Sequence, residues 1–88
     1  MDLDRAWRLH PQVSVRPEPF GALLYHFGNR KLSFLKDRTL LDIVSRLEQE
    51  PSARAACLAA GLDETQVDRF GVALATLEKS EILVERAA

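Results

Sequence analysis

The sequence predicts an α+β domain in which three short antiparallel strands are followed by three helices. Between residues 13 and 35 apolar side chains alternate with their neighbours, and proline or glycine interrupts the alternation, as is typical of strands joined by turns. After residue 38 the apolar residues recur at helical spacing, and a proline and a glycine separate successive segments.

The stretch Gly21–Leu35 is predicted to form a β-hairpin around which the domain is organised. Gly28-Asn29 suits a two-residue loop of type II′, because glycine readily adopts the positive φ that the first loop position requires. This register places the large apolar partners on one face, and a slip of one residue would send those of the second strand to the other. The cross-strand pairs are Phe27 with Arg30, Tyr25 with Leu32, and Leu23 with Phe34.

The same loop predicts which backbone groups of the second strand, Arg30–Leu35, are free. A two-residue loop makes Arg30 the hydrogen-bonded partner of Phe27, and bonded and non-bonded pairs alternate along the ladder. Leu32, expected to be a core side chain, and Phe34 are then bonded to the preceding strand. The residues expected to direct their N–H and C=O groups to the free edge are Lys31, Ser33 and Leu35.

One further strand is predicted before the hairpin. Val13–Arg16 alternates, and Pro17 and Pro19 are expected to end it because proline cannot donate to a ladder. Residues 1–10 form an N-terminal arm, for which two interpretations stay open. Trp7 and Leu9 pack onto the domain, or the terminus is frayed.

The first predicted helix follows the hairpin. Thr39 with Asp42 makes a variant of the capping box, and Asp37 is the alternative N-cap. Pro51 places the end of this helix near Gln49–Glu50. Its apolar positions are Leu40, Ile43, Val44 and Leu47.

Two more helices are joined by a tight turn at residues 61–63. Ser52 caps a short helix over Ala53–Ala60, which the turn glycine ends in a left-handed conformation. Asp63 and Gln66 form a capping box at the start of the third helix. This helix runs to about Lys79, with Val67, Phe70, Leu74 and Leu77 as its core stripe, and a last extended contact is expected at Ile82–Val84.

This order of elements favours a winged helix-turn-helix fold, with the hairpin as the wing. The predicted organisation is an arm at residues 1–10, one domain at residues 11–85 and a tail at residues 86–88. Eighty-eight residues bury one modest core, and a formal net charge of -1 provides no general basic field. The single cysteine, Cys57, excludes an internal disulfide, and the apolar stretches are too short to span a membrane, so a cytoplasmic protein without a membrane partner is expected.

No constellation of catalytic residues is present, so the chain is not expected to be an enzyme, and no cofactor or metal is expected. His10 and His26 are interpreted as surface or edge side chains, and Cys57 as a small buried apolar residue. Winged helices often bind DNA, but the charged residues of the third helix comprise three acids and two bases, which is unfavourable for phosphate contacts. The hairpin carries a basic cluster that suits a solvated wing or an acidic peptide equally: Arg30, Lys31, Lys36 and Arg38.

The run HPQVSVRPEPFGALLYHFGNRKLSFLKDRTLLDIV, residues 10–44, resembles the start of a precursor-peptide recognition element of the PqqD type. Within it, RPEPFGALLYHFGNRKLSFL is particularly similar to the chaperones of mycofactocin maturation. The closing GLDETQVDRFGVALATLEKSEILV fits the last helix and the apolar end of that family. One departure is Ser80, where such domains often carry glycine.

The resemblance implies a peptide chaperone with two partners and no nucleic acid. The leader of a ribosomal precursor peptide would add as a strand to the outer edge of the hairpin, in a groove beside the last helix. A radical S-adenosylmethionine maturase would then receive the peptide. One flank of the third helix is the expected groove wall, and the opposite flank, Glu64, Gly71 and Glu78, stays open as an alternative. The expected contact residues are Arg30, Lys31, Leu32, Ser33, Phe34, Leu35, Gln66, Arg69, Ala73 and Thr76.

Overall fold

The computed structural model describes residues 1–86 and shows an α+β fold with five strands and three α-helices. The predicted three helices are confirmed, while residues 87 and 88 of the predicted tail lie outside the described part. The strands are β1 (Trp7–Leu9), β2 (Val13–Glu18), β3 (Gly21–His26), β4 (Leu32–Leu35) and β5 (Leu83–Glu85). The helices are α1 (Arg38–Arg46), α2 (Ala53–Ala59) and α3 (Glu64–Lys79).

The predicted three-stranded antiparallel sheet is present, in the order β2-β3-β4. Its hairpin register is confirmed, since Tyr25 pairs with Leu32 and Leu23 with Phe34. Strand β2 runs past Pro17, which was predicted to end it. Pro17 is tolerated because β2 is an edge strand and no ladder hydrogen bond is needed at this position. Its partner Ala22 directs its backbone groups to β4, so the missing N–H of Pro17 would have faced the free edge.

The predicted two-residue loop is wrong, although the register is right. The backbone N–H of Phe27 donates to the carbonyl of Gln12 at 2.9 Å, so Phe27 bonds to the chain before β2 and not to Arg30. The loop therefore has four residues, 27–30. Arg30, with φ of 61°, takes the left-handed conformation, and its N–H donates to the carbonyl of His26 at 2.7 Å.

Glycine is needed at position 28 because of close packing, since Gly28 is not among the residues with positive φ. A Cβ atom there would collide with the side-chain oxygen of Gln12 and lie 2.7 Å from Cε1 of His26. The imidazole of His26 holds the loop, because its Nδ1 accepts the N–H groups of Gly28 and Asn29 at 3.0 and 3.2 Å.

The longer loop reverses the predicted direction of the β4 backbone groups. The N–H of His26 donates to the carbonyl of Lys31 at 3.0 Å, so this pair is hydrogen-bonded. Alternation then bonds Ser33 and Leu35 to β3. The N–H and C=O groups of Leu32 and Phe34 face the free edge.

The core lies under the other face of the hairpin from the one that was expected. Ala22, Leu24 and Leu35 are buried, whereas Leu32 is 52% exposed and is not a core side chain. His26 is only 3% exposed, so its interpretation as a surface or edge residue was wrong. Inside the domain its Nδ1 accepts two loop N–H groups, whereas its Nε2 is buried with no hydrogen-bond partner among residues 1–86.

A second sheet, not predicted, joins the two ends of the described chain. Strand β1 pairs antiparallel with β5, placing Trp7 opposite Glu85. Trp7 is 5% exposed, and its indole N–H donates to the carbonyl of Asp2 at 2.8 Å. The terminal segment thus packs onto the core rather than fraying at Trp7, because burial of a large aromatic side chain is strongly favourable.

The helix caps lie at residues that the sequence singled out. Asp37, the alternative N-cap, caps α1 by accepting the N–H of Thr39 at 2.7 Å, so the capping-box variant of Thr39 with Asp42 is wrong. Helix α1 ends at Arg46, and a 3₁₀ turn continues it to Gln49. The Ser52 cap of α2 and the capping box of Asp63 with Gln66 on α3 are both confirmed. The helices contribute these fully buried apolar residues to the core: Ile43, Ala53, Ala56, Cys57, Val67 and Leu74.

Candidate functional site

Strand β4 forms one free edge of the three-stranded sheet, and β2 forms the other. Leu32 and Phe34 present unpaired backbone groups on the β4 edge, and both side chains are exposed. Such an edge can pair with an added strand. The β2 edge is less suitable, because Pro17 lacks the N–H that would face an incoming strand.

A cavity of about 230 Å³ lies between α1 and α3, next to the residues that follow β4. Leu40, Phe70 and Ala73 supply its apolar surface, and Asp37 and Arg69 supply its charged border. Ala73 leaves room in the wall because its side chain is one carbon long. This cavity is large enough for one apolar side chain of a bound peptide.

Arg69 stands at the border of this cavity as an exposed cation. Its guanidinium carbon lies 5.7 Å from the centre of the Phe70 ring, a cation–π distance. Among residues 1–86 Arg69 makes no ion pair. Its charge is available to a carboxylate brought into the groove.

The remaining two predicted residues of α3 have other partners. The side-chain oxygen of Gln66 accepts the N–H of Asp63 at 3.0 Å in the capping box. The hydroxyl of Thr76 donates to the carbonyl of Val72 at 3.1 Å. Both are exposed but neither lines the cavity. The structure therefore groups only Arg69 and Ala73 of the four predicted α3 residues.

The opposite flank of α3, which the sequence left open, is occupied by the chain itself. The terminal ammonium of Met1 lies 3.5 Å from Oε1 of Glu78. The side chain of Leu3 packs against Gly71, where an added Cβ would come within 3.1 Å of it. Arg54 pairs with Glu64 at 2.8 Å. The flank facing Arg69 and Ala73 is thus the one free of the N-terminal segment.

The predicted β4 residues divide into three groups. Leu32 and Phe34 lie on the edge, with their side chains exposed. Arg30 and Lys31 are exposed at the loop end of the strand. Ser33 is half-buried and Leu35 is 2% exposed, and both direct their backbone groups to β3. Leu35 is therefore a core residue.

Three residues of the cavity were missed as binding candidates: Asp37, Leu40 and Phe70. Their sequence signals pointed elsewhere, since Asp37 was recognised as a cap, and Leu40 and Phe70 as core positions. Phe70 is in fact half-buried. A core-stripe aromatic followed three positions later by alanine is the one pattern that could have suggested an opening in the wall.

Burial raises the pKa of the Cys57 thiol, which keeps the thiol neutral and unreactive. Among residues 1–86 no three His, Cys, Asp or Glu side chains lie close enough together to hold a metal ion.

Comparison with known proteins decides the family. Residues 6–84 match the profile of the peptide chaperone MftB family. The chain belongs to the MftB peptide chaperone family. The resemblance to chaperones of mycofactocin maturation seen in the sequence is thereby confirmed, and the chain is a peptide chaperone rather than a catalyst.

Named relatives extend over almost all of the chain. It is 60% identical to peptide chaperone MftB of Mycobacterium tuberculosis over 97% of this chain and 78% of that protein. It is 58% identical to peptide chaperone MftB of Mycobacterium ulcerans over 99% of this chain and 80% of that protein. The MftB of Mycolicibacterium smegmatis is 57% identical over 94% of this chain and 81% of its own length.

No solved structure matches the chain at a significant level. Within the described part of this MftB family member, no helix is both long enough and apolar enough to cross a lipid bilayer.

Proposed function

We propose that this MftB family member captures the leader of a ribosomal precursor peptide by strand addition to β4 and presents it to a radical S-adenosylmethionine maturase. The observation that carries the proposal is the unpaired edge at Leu32 and Phe34, together with the cavity that Arg69 and Ala73 share with Asp37, two residues after the end of β4. Strand addition to an exposed edge is an established way for proteins to hold extended peptides.

Backbone pairing alone is too weak to hold the leader. Leu32 and Phe34 together offer four backbone groups, and each net hydrogen bond contributes about 0.5–1.5 kcal/mol. Ordering the peptide backbone costs about 1–2 kcal/mol per residue. These two contributions roughly cancel, so affinity must come from apolar side chains of the leader, at about 1.5–3 kcal/mol for each one buried.

The cavity on α3 suits such an apolar anchor. Leu40, Phe70 and Ala73 would surround it, while Arg69 would pair with an acidic residue of the leader. The proposed leader motif is therefore an apolar residue with an Asp or Glu nearby. The exposed cations Arg30 and Lys31, at the loop end of the same edge, would attract an acidic peptide during encounter.

We assign the hairpin the role of the wing in a winged helix-turn-helix domain and take residues 11–85 as the peptide-recognition unit. Residues 1–10 act as an arm that occupies the unused flank of α3. The chaperone works in the cytoplasm, without nucleic acid or membrane as a partner.

Calorimetric titration of the full chain with a synthetic candidate leader peptide tests this function. We expect saturable binding with one peptide per chain and no binding of a scrambled peptide of equal composition. Equal binding of both peptides, or no heat at saturating concentration, would contradict it. Retention of the chain on duplex DNA at low salt, falling steeply with added salt, would instead favour a nucleic-acid function.

A further inference from the structure

The outer face of the three-stranded sheet, opposite the face that packs into the core, carries an apolar patch. The outer patch consists of Leu23, Tyr25, Phe27, Leu32 and Phe34. Phe27 is 61% exposed and Phe34 55%, while Leu23 and Tyr25 are half-buried. Each β3 residue of the patch is paired across the hairpin with a β4 residue of the patch.

The outer patch is contiguous. Directly opposed side chains on neighbouring antiparallel strands touch, which joins Tyr25 to Leu32 and Leu23 to Phe34. The rings of Tyr25 and Phe27 meet edge to face, with 4.9 Å between their centres. Contiguous exposed apolar surface on a small domain usually marks an interaction site.

Basic side chains lie next to the outer patch along the chain. Arg30 and Lys31 immediately precede Leu32, and Lys36 follows Leu35. All three cations are exposed, and none forms an ion pair with another residue in the range 1–86. Their charge is therefore free to act on a partner.

The three cations beside the outer patch favour an acidic partner protein over a second copy of the chain. A two-fold contact between identical patches would bring the two sets of cations together, which is unfavourable. A partner with an apolar patch bordered by Asp and Glu would be complementary to it. We propose that the maturation enzyme docks on the outer patch through such a surface, an inference that rests on the proposed function.

This placement makes the docking surface depend on the peptide. Strand addition to β4 extends the sheet, and alternate side chains of the leader then emerge beside Leu32 and Phe34 on the outer face. The enzyme would contact chaperone and leader together. Its affinity for the chaperone is therefore expected to rise when the leader is bound, and by reciprocity the leader binds more tightly to the complex.

Biolayer interferometry with the immobilised full chain and the purified maturase, with and without saturating leader, tests the inference. Phe27→Ser is the main variant, because Phe27 belongs to the outer patch but lies outside β4 and the cavity. Val72→Ser is the matched control, since Val72 is a 70% exposed apolar residue on α3. Lys36→Glu is a second variant at an exposed position that makes no described ion pair.

We expect Phe27→Ser to weaken enzyme binding by about tenfold or more, the loss typical of an aromatic anchor, and Val72→Ser to stay within about twofold of the parent. Lys36→Glu should slow association, and calorimetry should show unchanged leader affinity for all three variants. Enzyme binding unaffected by Phe27→Ser and Lys36→Glu would overturn the inference. The inference would also be overturned if the variants lost leader binding as strongly as enzyme binding. A parent protein that is dimeric in ultracentrifugation, and that Phe27→Ser makes monomeric, would overturn it as well. If the parent binds the enzyme but no leader, the proposed function fails by itself.

Discussion

The backbone N–H of His26 donates to the carbonyl oxygen of Lys31 at 3.0 Å, and this hydrogen bond determines which residues of β4 are free to bind a peptide. It makes Leu24–Ser33 and Ala22–Leu35 the next bonded pairs. Leu32 and Phe34 are consequently the residues whose backbone groups point away from the sheet.

Proline substitutions on β4 should separate peptide binding from folding. Leu32→Pro removes an N–H that faces the free edge, so the protein should fold but bind the leader at least about tenfold more weakly, since a pairing bond is lost and the incoming strand is crowded. Ser33→Pro removes a donor that bonds to β3 and should unfold the domain. Circular dichroism reports the fold, and calorimetry reports binding.

Leu32→Ala is the matched control for the proline variant, because it removes the same exposed side chain and keeps the N–H. We expect it to retain most of the leader affinity. A folded Ser33→Pro protein, or a Leu32→Pro protein that binds as tightly as the parent, would show that the edge or its ladder has been assigned incorrectly.

Filling the cavity should block the anchor of the leader. Ala73→Leu places a larger side chain between Leu40 and Phe70, and we expect leader affinity to fall by about tenfold or more, which corresponds to roughly 1.4 kcal/mol or greater. Asp68→Leu adds a side chain of the same type at an exposed position of α3 that does not line the cavity. Equal affinities of both variants, measured by calorimetry, would exclude this cavity as the anchor site.

Loss of the His26 acceptor should loosen the hairpin loop. His26→Leu leaves the N–H groups of Gly28 and Asn29 without their partner, at a cost of about 1–3 kcal/mol in the free energy of unfolding. His26→Asn keeps an acceptor at the δ1 position but loses the ring. Amide exchange should show fast exchange at residues 28 and 29 in the leucine variant only. Equal protection in both variants would argue against the acceptor role.

The stability of α3 should depend on pH through its N-cap. Two hydrogen bonds to the Asp63 carboxylate hold its pKa below the ordinary value of 3.8. The Thr65 hydroxyl donates the bond with the larger effect, and the Gln66 N–H donates the other. Because folding lowers this pKa, the ionised carboxylate stabilises the folded protein at pH values above the pKa of the unfolded state. That stability is lost as the pH falls through the pKa of the folded state. Asp63→Asn keeps a capping side chain without the charge. Denaturation at several pH values should show the parent's advantage over Asp63→Asn disappearing below a pH of about 3.8, and a constant difference would contradict this.

The sequence was sufficient for features set by local chemistry. The caps at Ser52 and Asp63 depend on residues within three positions of each other, and the structure has both. The hairpin register also survived, because two-residue and four-residue loops centred on Gly28-Asn29 give the same pairs. The predicted hydrogen-bonding pattern of the hairpin was wrong, because it depends on the acceptor of the Phe27 N–H. That acceptor is the carbonyl of Gln12, which belongs to a segment outside the hairpin.

The features that could not be predicted arise from long-range contacts. Strands β1 and β5 are three residues each and lie at opposite ends of the described chain, so neither carries a periodic signal. The prediction of which hairpin face is buried was wrong because both faces carry apolar residues. The face that packs against the helices is buried, and the local sequence pattern does not specify that face. The N-terminal contacts with Gly71 and Glu78, which distinguish the two flanks of α3, are equally invisible in the local pattern.

Amide hydrogen exchange of the full chain, measured residue by residue with and without saturating leader, tests strand addition to β4 most directly. We predict that the leader protects the N–H groups of Leu32 and Phe34. The N–H of Val15, which faces the free edge of β2 because Val15 pairs with Leu24, should stay unprotected. Protection of Val15 with none at Leu32 and Phe34, or saturation by the leader without new protection at either edge, would contradict the account.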